Sequence, residues 1–334
     1  MIPTDATALP HTLIPIAAHD ILPDGTTRPV EDPWPAPGAG PGAAWRWLHC
    51  NRADPAFVAW ATENLPAAVR LALTEADSRP RCDTLGEGLV VALRGINLNP
   101  GETGEDMVAL RAWVAPGLVV TTRLRRIVAL DDLHADVAAD RAPPSPGAFL
   151  VRLTDVLLRR IEEVAANREE RTDTVEEMLL DDEPDRIGAG ETEIARLARS
   201  VLKLRRHIAP QREALARMAR TESALIADGD RAILQHLSRR AERLVEELDM
   251  IRDRLAALRG HVDSLNAARI GRNGFVLSVV AAIFLPLGFV TSLLGVNLGG
   301  MPGTNHPWGF WILACALAAA GLGLWLLFRR MKWF

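Results

Sequence analysis

The sequence predicts an α+β domain with an antiparallel-rich sheet and helices, followed by a long α-helical stalk and two C-terminal transmembrane helices. Three observations carry this. Short β-rich runs alternate with turn breaks up to about Leu130. Apolar residues from Ala241 to Leu265 recur at spacings that alternate three and four. From Asn273 to Phe328 there is no Asp, Glu, Lys or Arg. The parts expected are a cytoplasmic α/β domain over 1–189, a helical stalk over 190–272 and a membrane hairpin over 273–334, with spans at about 275–295 and 308–328 and an outer loop at 296–307.

In chain order, WRWLHCNRADPAFVAWATENL reads as a strand leading into a helix, and PAAVRLALTEAD as a second helix with proline in its first turn, where the missing N–H costs nothing. LGEGLVVALRGINLN, DMVALRAWVAP and GLVVTTRLRRIVAL are β-rich runs separated by Asn-Pro-Gly and Ala-Pro-Gly, which suggests antiparallel strands joined by turns in a meander-like sheet. RAPPSPG breaks the pattern, and a helix is expected from about Ala148 to Asp181, ending in a loop-like DDEPDRIGAG. A further helix, ETEIARLARSVLKLRRHIA, runs up to Pro210, after which helical sequence resumes and is long from about Asp230.

Ala241, Leu244, Leu248, Ile251, Leu255, Leu258, Val262 and Leu265 form a heptad seam. Arg, Glu and Asp fill the other faces, as on a helix solvated outside its packed stripe. The seam fits an antiparallel bundle with the preceding helices of the same chain, and packing that also involves neighbouring subunits is the expectation favoured here.

The net charge of the 334 residues is -4, but basic and acidic residues interleave, so no sustained basic face for nucleic acid appears. Cys50, Cys82 and Cys315 are far apart and form no CxxC pair, which argues against a disulfide framework or a thiolate zinc site. The first residues carry an acid, a histidine and prolines in place of a signal peptide's basic and apolar regions, so the soluble domain is expected to stay in the cytoplasm.

Phe275 to Gly295 and Trp308 to Phe328 are each about 21 residues, enough to cross a hydrocarbon core roughly 30 Å thick. Arg269 and Arg272 precede the first span and Arg329, Arg330 and Lys332 follow the second, so both ends should be cytoplasmic. Pro286 frees a carbonyl inside the first span, either as a packing kink or for gating, and needs a neighbouring helix or water there. Two spans cannot enclose a water-filled path alone, so conduction would require self-association.

The joining stretch, LLGVNLGGMPG, carries no charge and holds four glycines and a proline. Together with FLPLGF upstream it resembles the signature of the CorA-type divalent-metal transporters, whose first membrane helix ends in Gly-Met-Asn followed by Met-Pro. Here the tripeptide is Gly295-Val296-Asn297, followed by Gly299, Gly300, Met301 and Pro302. With LRGINLNPG, EDMVALRAW, LRRHIAPQREAL and the closing KWF, the chain looks similar to the zinc-transporting ZntB branch from about Trp45 onward. Val296 in place of methionine, and Gly303 where many magnesium-type members have an acid, favour Zn²⁺ over Mg²⁺, Co²⁺ or Ni²⁺ as cargo.

The resemblance implies a homopentamer in the bacterial inner membrane, a pore lined by the first span and proton coupling, although the spans hold no acid to carry the proton. It implies a selectivity filter at Gly295, Val296 and Asn297. Leu277, Leu285, Gly288 and Thr291 are expected to line the pore, on Asn297's helical face or at family pore positions. Asn297 would meet the cation through its hydration shell, because the spans and loop offer only Cys315 and His306 as direct zinc ligands. Read alone, Asn297 is equally a helix C-cap, Thr291 can bond back to its own helix, and His306 is an interfacial loop residue. No resident cofactor is expected. A membrane-anchored coiled-coil scaffold or signalling protein is the reading from another class; no GxxxxGK[ST], G-x-S-x-G or H-E-x-x-H supports an enzyme.

Overall fold

The computed structural model of the protein describes residues 13–32, 35–76, 79–102, 105–180, 183–296 and 306–330. It comprises two units, Met1–Arg259 and Gly260–Phe334. The first is built on β1 (Ala17–Ile21), β2 (Thr27–Pro29), β3 (Trp45–Asn51), β4 (Arg81–Leu85), β5 (Gly88–Gly95), β6 (Val108–Ala115) and β7 (Leu118–Arg123). These form one sheet in the order β2-β1-β3-β7-β6-β5-β4.

The β5–β7 run is the expected antiparallel meander, and β4, which the sequence pattern did not mark, extends it by pairing antiparallel with β5. Its Ala-Pro-Gly break is a tight β6–β7 turn in which Gly117 takes φ +73°, a conformation that costs glycine little. The meander expectation fails at β3, which pairs with β7 in parallel. Chain leaving β3 passes through α1 (Pro55–Asn64) and α2 (Ala67–Thr74) before β4, so β7 returns beside β3 pointing the same way. The edge strand β2 and its neighbour β1 are too short and too interrupted by polar residues to stand out by period.

α1 and α2 cover one sheet face, packing Phe57, Trp60 and Leu73 against Leu48, Cys50, Val90 and Val120. Asp54 caps α1 by accepting the Ala56 N–H, and Pro66 stands at the N-cap of α2. The other face is covered by α3 (Val128–Ala138), α4 (Pro146–Leu179) and α5 (Pro184–Arg220), with Trp45 and Trp47 against Phe149. IVAL, expected to continue a strand, belongs to α3: Ile127, Ala129 and Leu130 are buried as a helical stripe. RIGAG, expected as loop, lies inside α5, because a proline in the first turn starts a helix as readily as it ends one.

α5 also passes through Pro210, where an end was expected. The lost hydrogen bond costs about 3 kcal/mol, but Ile208, Gln211, Ala214 and Leu215 bury the same turns. Gln211 Oε1 accepts the Arg94 N–H at 2.7 Å, tying α5 to β5.

α6 (Asp228–Leu294) carries the heptad seam. From Ala241 to Leu255 its seam residues are buried within the single chain. Arg240 donates to Glu162 at 2.6 Å and Asp155 at 2.8 Å of α4, Arg254 to Asp173 at 2.6 Å, and Arg205 of α5 to Asp249 at 2.6 Å. The rising register, 155 to 240 and 173 to 254, makes α4 and α6 parallel. Over this stretch the seam closes on helices of the same chain, with α4 parallel to α6 where an antiparallel bundle was expected as the intramolecular arrangement.

Two tests follow. At Gly147, in the first turn of α4, an added Cβ would stand 2.0 Å from the Leu225 carbonyl oxygen, a backbone atom that cannot yield. Gly147→Ala should therefore lower stability by about 3 kcal/mol in denaturant titrations, while Gly229→Ala, in open space on α6, should be neutral or stabilising.

Separately, His49 is buried, and burial followed by the Arg123 charge lowers its pKa from 6.5 to about 3. The folded state refuses a proton that the unfolded chain accepts below about pH 6.5, so this stability is complete above that pH and is lost as pH falls. Between pH 6.5 and 5 the loss should be about 2 kcal/mol, and His49→Asn should remove that part of the slope in melting curves taken across the range.

Candidate functional site

The second unit contains the end of α6 and α7 (Gly309–Arg330). Both helices are long and apolar enough to cross a membrane. With no charge to solvate, the only specific packing available is between apolar stripes. On α6 the half-buried or buried positions include Phe275, Val279, Ala282, Ile283 and Leu287, with Ala281 also half-buried off that line; on α7 they include Leu313, Ala314, Leu317, Gly321, Leu324 and Phe328, with Gly309 at the helix start. Each set recurs at helical three-and-four spacing. Leu287 Cδ1 lies 3.5 Å from where a Cβ on Gly321 would stand, which places the two stripes in contact.

The opposite side of α6 is bare in the single chain. At about 100° per residue, Leu277, Gly288, Thr291 and Gly295 fall within about 60° of one another on that side. Leu285 sits about 60° further round from Gly288. Leu277 and Leu285 are 70% and 71% exposed, beyond what a monomer in water would tolerate for a whole helix face. Sequence reasoning missed Phe284, 67% exposed on the same line. Its signal was present: Leu277, Phe284 and Thr291 are spaced by two helical turns.

Thr291 Oγ1 donates to the Gly288 carbonyl at 2.9 Å, and Ser278 Oγ to that of Gly274 at 2.9 Å, so both hydroxyl protons bond back to their own helix. Their oxygen lone pairs stay open to water. Pro286 lies within α6 without ending it, leaving the Ala282 carbonyl without its intrahelical donor. At the helix end the Gly295 N–H donates to the Thr291 carbonyl at 2.9 Å, and Val296 follows, 48% exposed. Asn297, Gly299, Gly300, Met301 and Pro302, the rest of the expected filter and loop, lie outside the described residues.

His306 begins the return. Its Nδ1 accepts the Trp308 N–H at 3.3 Å and its carbonyl accepts the Gly309 N–H at 2.9 Å, so it caps α7. Trp308, Phe310 and Trp311 crowd that end, while at the other Arg329 stands 5.4 Å from the Trp325 ring centroid. Amphipathic rings at both ends of an apolar helix suit the two interfaces of a bilayer. Among the described residues no three His, Cys, Asp or Glu side chains converge as a metal site.

An α/β domain, a helix that turns apolar beyond its bundle and a second apolar helix packed on it give the architecture of a membrane protein. Comparison with known proteins agrees. Residues 42–330 match the family described as CorA-like Mg2+ transporter protein. The chain is 35% identical to the divalent cation transporter CmaX of Pseudomonas aeruginosa over 291 residues, 86% of this chain and 87% of that protein. It is 33% identical to the zinc transport protein ZntB of Pectobacterium atrosepticum over the same lengths and shares of both chains. The solved structure of full-length CmaX superposes with a TM-score of 0.81 at 32% identity, covering 96% of this chain and 98% of that one. The chain belongs to the CorA-like family of metal-ion transporters, whose work is transport rather than catalysis.

Gly321→Ala should leave the hairpin intact, since its Cβ would make an ordinary contact, whereas Gly321→Phe should part the stripes. Size-exclusion profiles and melting temperatures in detergent should be unchanged for the first and show aggregation or a clear loss of stability for the second.

Proposed function

We propose that this chain moves divalent cations, Zn²⁺ foremost, across a bacterial inner membrane as a homopentamer. The observation that supports this best is the bare side of α6, where Leu277, Phe284, Gly288, Thr291 and Gly295 lead toward Asn297 with no charged residue among them. Five such faces turned to one axis would bury apolar surface that a single chain exposes. They would enclose a path lined by leucine and phenylalanine side chains, helix-bonded hydroxyls and glycine.

Small divalent cations give up water reluctantly. A ring of Asn297 carboxamides would hydrogen-bond to the ion's hydration shell, without the tight hold that a ring of carboxylates would impose and that release would have to overcome. Val296, and the glycines that let the chain turn closely, would set the width of the ring. Leu277, Phe284 and Leu285 would form a narrow apolar passage that resists wetting, which closes a pore without a moving plug. Arg269, Arg272, Arg329, Arg330 and Lys332 keep both ends cytoplasmic, and the division into 1–189, 190–272 and 273–334 follows from where water, bundle and lipid succeed one another.

Similarity to zinc transport proteins, and Val296 and Gly303 in place of the magnesium-type residues, favour Zn²⁺. In liposomes the purified protein should pass Zn²⁺, with Asn297→Ala reducing uptake to background while keeping the pentameric mass in native mass spectrometry. Undiminished uptake by that variant would remove Asn297 from the filter. Competition among Zn²⁺, Mg²⁺, Co²⁺ and Ni²⁺ ranks the cargo, and uptake with and without a pH gradient decides proton coupling.

A further inference from the structure

Where α3 lies on the sheet, two imidazoles meet. His19 Nε2 of β1 stands 3.2 Å from His134 Nε2 of α3, so the rings share one hydrogen bond. Trp47 floors the pair: His19, its register partner on β1, stacks beside it at 6.3 Å between centroids, and His134 meets it edge-on at 6.0 Å. The transport path proposed above makes no use of these rings.

Counting hydrogens shows what the pair tolerates. A neutral imidazole carries one N–H and one bare nitrogen, so two neutral rings supply one hydrogen for the shared bond and one for an outer Nδ1. The outer nitrogens differ. His19 Nδ1 is buried with no hydrogen-bond partner among the described residues, whereas His134 Nδ1 is not sealed in this way. The least costly arrangement has His19 donating through Nε2 with its Nδ1 bare, while His134 carries the second hydrogen on Nδ1. A third hydrogen then has two places to go. On His19 Nδ1 it finds no acceptor; on His134 Nε2 it faces the N–H of His19 head-on.

The surroundings offer an added proton no carboxylate. On α3, Asp131 is paired with Arg126 at 2.7 Å, Asp132 with Arg160 of α4 at 2.8 Å, and Asp136 with Arg152 of α4 at 2.7 Å and Arg141 at 3.1 Å. Asp140 accepts the Thr27 N–H of β2. Asp20, next to His19, points to the opposite sheet face and holds Arg46. The ionisable groups on the pair's own sheet face are His49 of β3 and Arg123 of β7, and neither is an acid. Burial first, and the charge of His134 second, accordingly lower the His19 pKa.

We propose that the His19–His134 pair is a proton-operated latch, which holds the middle of α3 on β1 while both rings are neutral and releases it when the pair takes a proton. The ends of α3 stay tied, because Thr27 Oγ1 donates to the Val137 carbonyl at 2.9 Å and the arginines of α4 hold Asp132 and Asp136. Release is therefore local, a loosened helix in a folded domain. α4, on which α3 packs, carries Asp155 and Glu162, the partners of Arg240, so the latch lies one helix away from α6.

The sign follows from linkage. An unconstrained histidine takes its proton below about pH 6.5, and the closed pair refuses it. The latch is fully engaged above that pH and weakens as pH falls, by up to about tenfold in its opening equilibrium per pH unit.

Amide hydrogen exchange of full-length protein in detergent tests this, with EDTA present so that no metal bridges the rings. Rates at pH 7.5 and 5.5 are corrected for intrinsic pH dependence. Peptides over Val128–Ala138 should lose about tenfold in protection, while α1, Pro55–Asn64, keeps its own. His19→Gln, whose amide can make the shared bond without a buried nitrogen that refuses a proton, should flatten the response. His49→Asn, on the same face but outside the pair, should keep it. Should His19→Gln fail to fold, His134→Ala gives a second readout: α3 should already be loosened at pH 7.5 and lose little more at 5.5. The proposal is overturned if wild-type α3 is equally protected at both pH values, if α1 loosens along with it, or if His19→Gln or His134→Ala responds to pH as the wild type does.

Discussion

Helix α6 has to satisfy one backbone in two media. Up to Arg272 its outer faces carry charges that water can solvate; beyond Asn273 the side chains give water nothing to hold. An α-helix is the element that can make this passage, because each of its backbone groups finds a partner within the segment. Where α6 is charged outside, α4 and α5 pack on its seam; where it is apolar all round, only the stripe facing α7 is covered. The remainder is left uncovered within the single chain.

Within the bundle, magnitudes decide which contacts matter. Burying a leucine side chain contributes about 1.5–3 kcal/mol, so Leu244, Leu248 and Leu255 together outweigh partly exposed pairs such as Arg254–Asp173, each worth about 1 kcal/mol at most. The ion pairs serve register instead: Arg240, bonded to both Asp155 and Glu162, fits only one alignment of α4 and α6. Asp20 and Arg46 do comparable work in the sheet. Arg46 donates to both oxygens of the buried Asp20 carboxylate, at 2.7 and 3.0 Å, fixing β1 on β3, and these bonds hold the Asp20 carboxyl below its usual range despite burial.

What sequence could and could not tell divides along physical lines. The seam, the uncharged spans and the β5–β7 meander were legible because each repeats with its own period, and repetition is what pattern reads. Features that depend on partners distant in the chain were not. The parallel β3–β7 pair is made by a return after some seventy residues, and Pro210 stays helical only because burial around it repays the lost bond. For the candidate site, Leu277, Leu285, Gly288 and Thr291 came from Asn297's face and from pore positions of the family resemblance, and Phe284 escaped because a phenylalanine in a membrane span looks like any lipid-facing ring.

Gly260, Gly271 and Gly274 of α6 have nothing within 4 Å of where a Cβ would stand. Among the described residues no close approach explains them, and each weakens the helix by about 1 kcal/mol relative to alanine. They fall where the helix gives up its charged companions and has not yet reached its apolar ones. The longest element of the molecule is thus most compliant over a stretch of about four turns. Torque or bending applied to either end is absorbed there at the smallest elastic cost, so the rod is built with a soft segment instead of uniform stiffness.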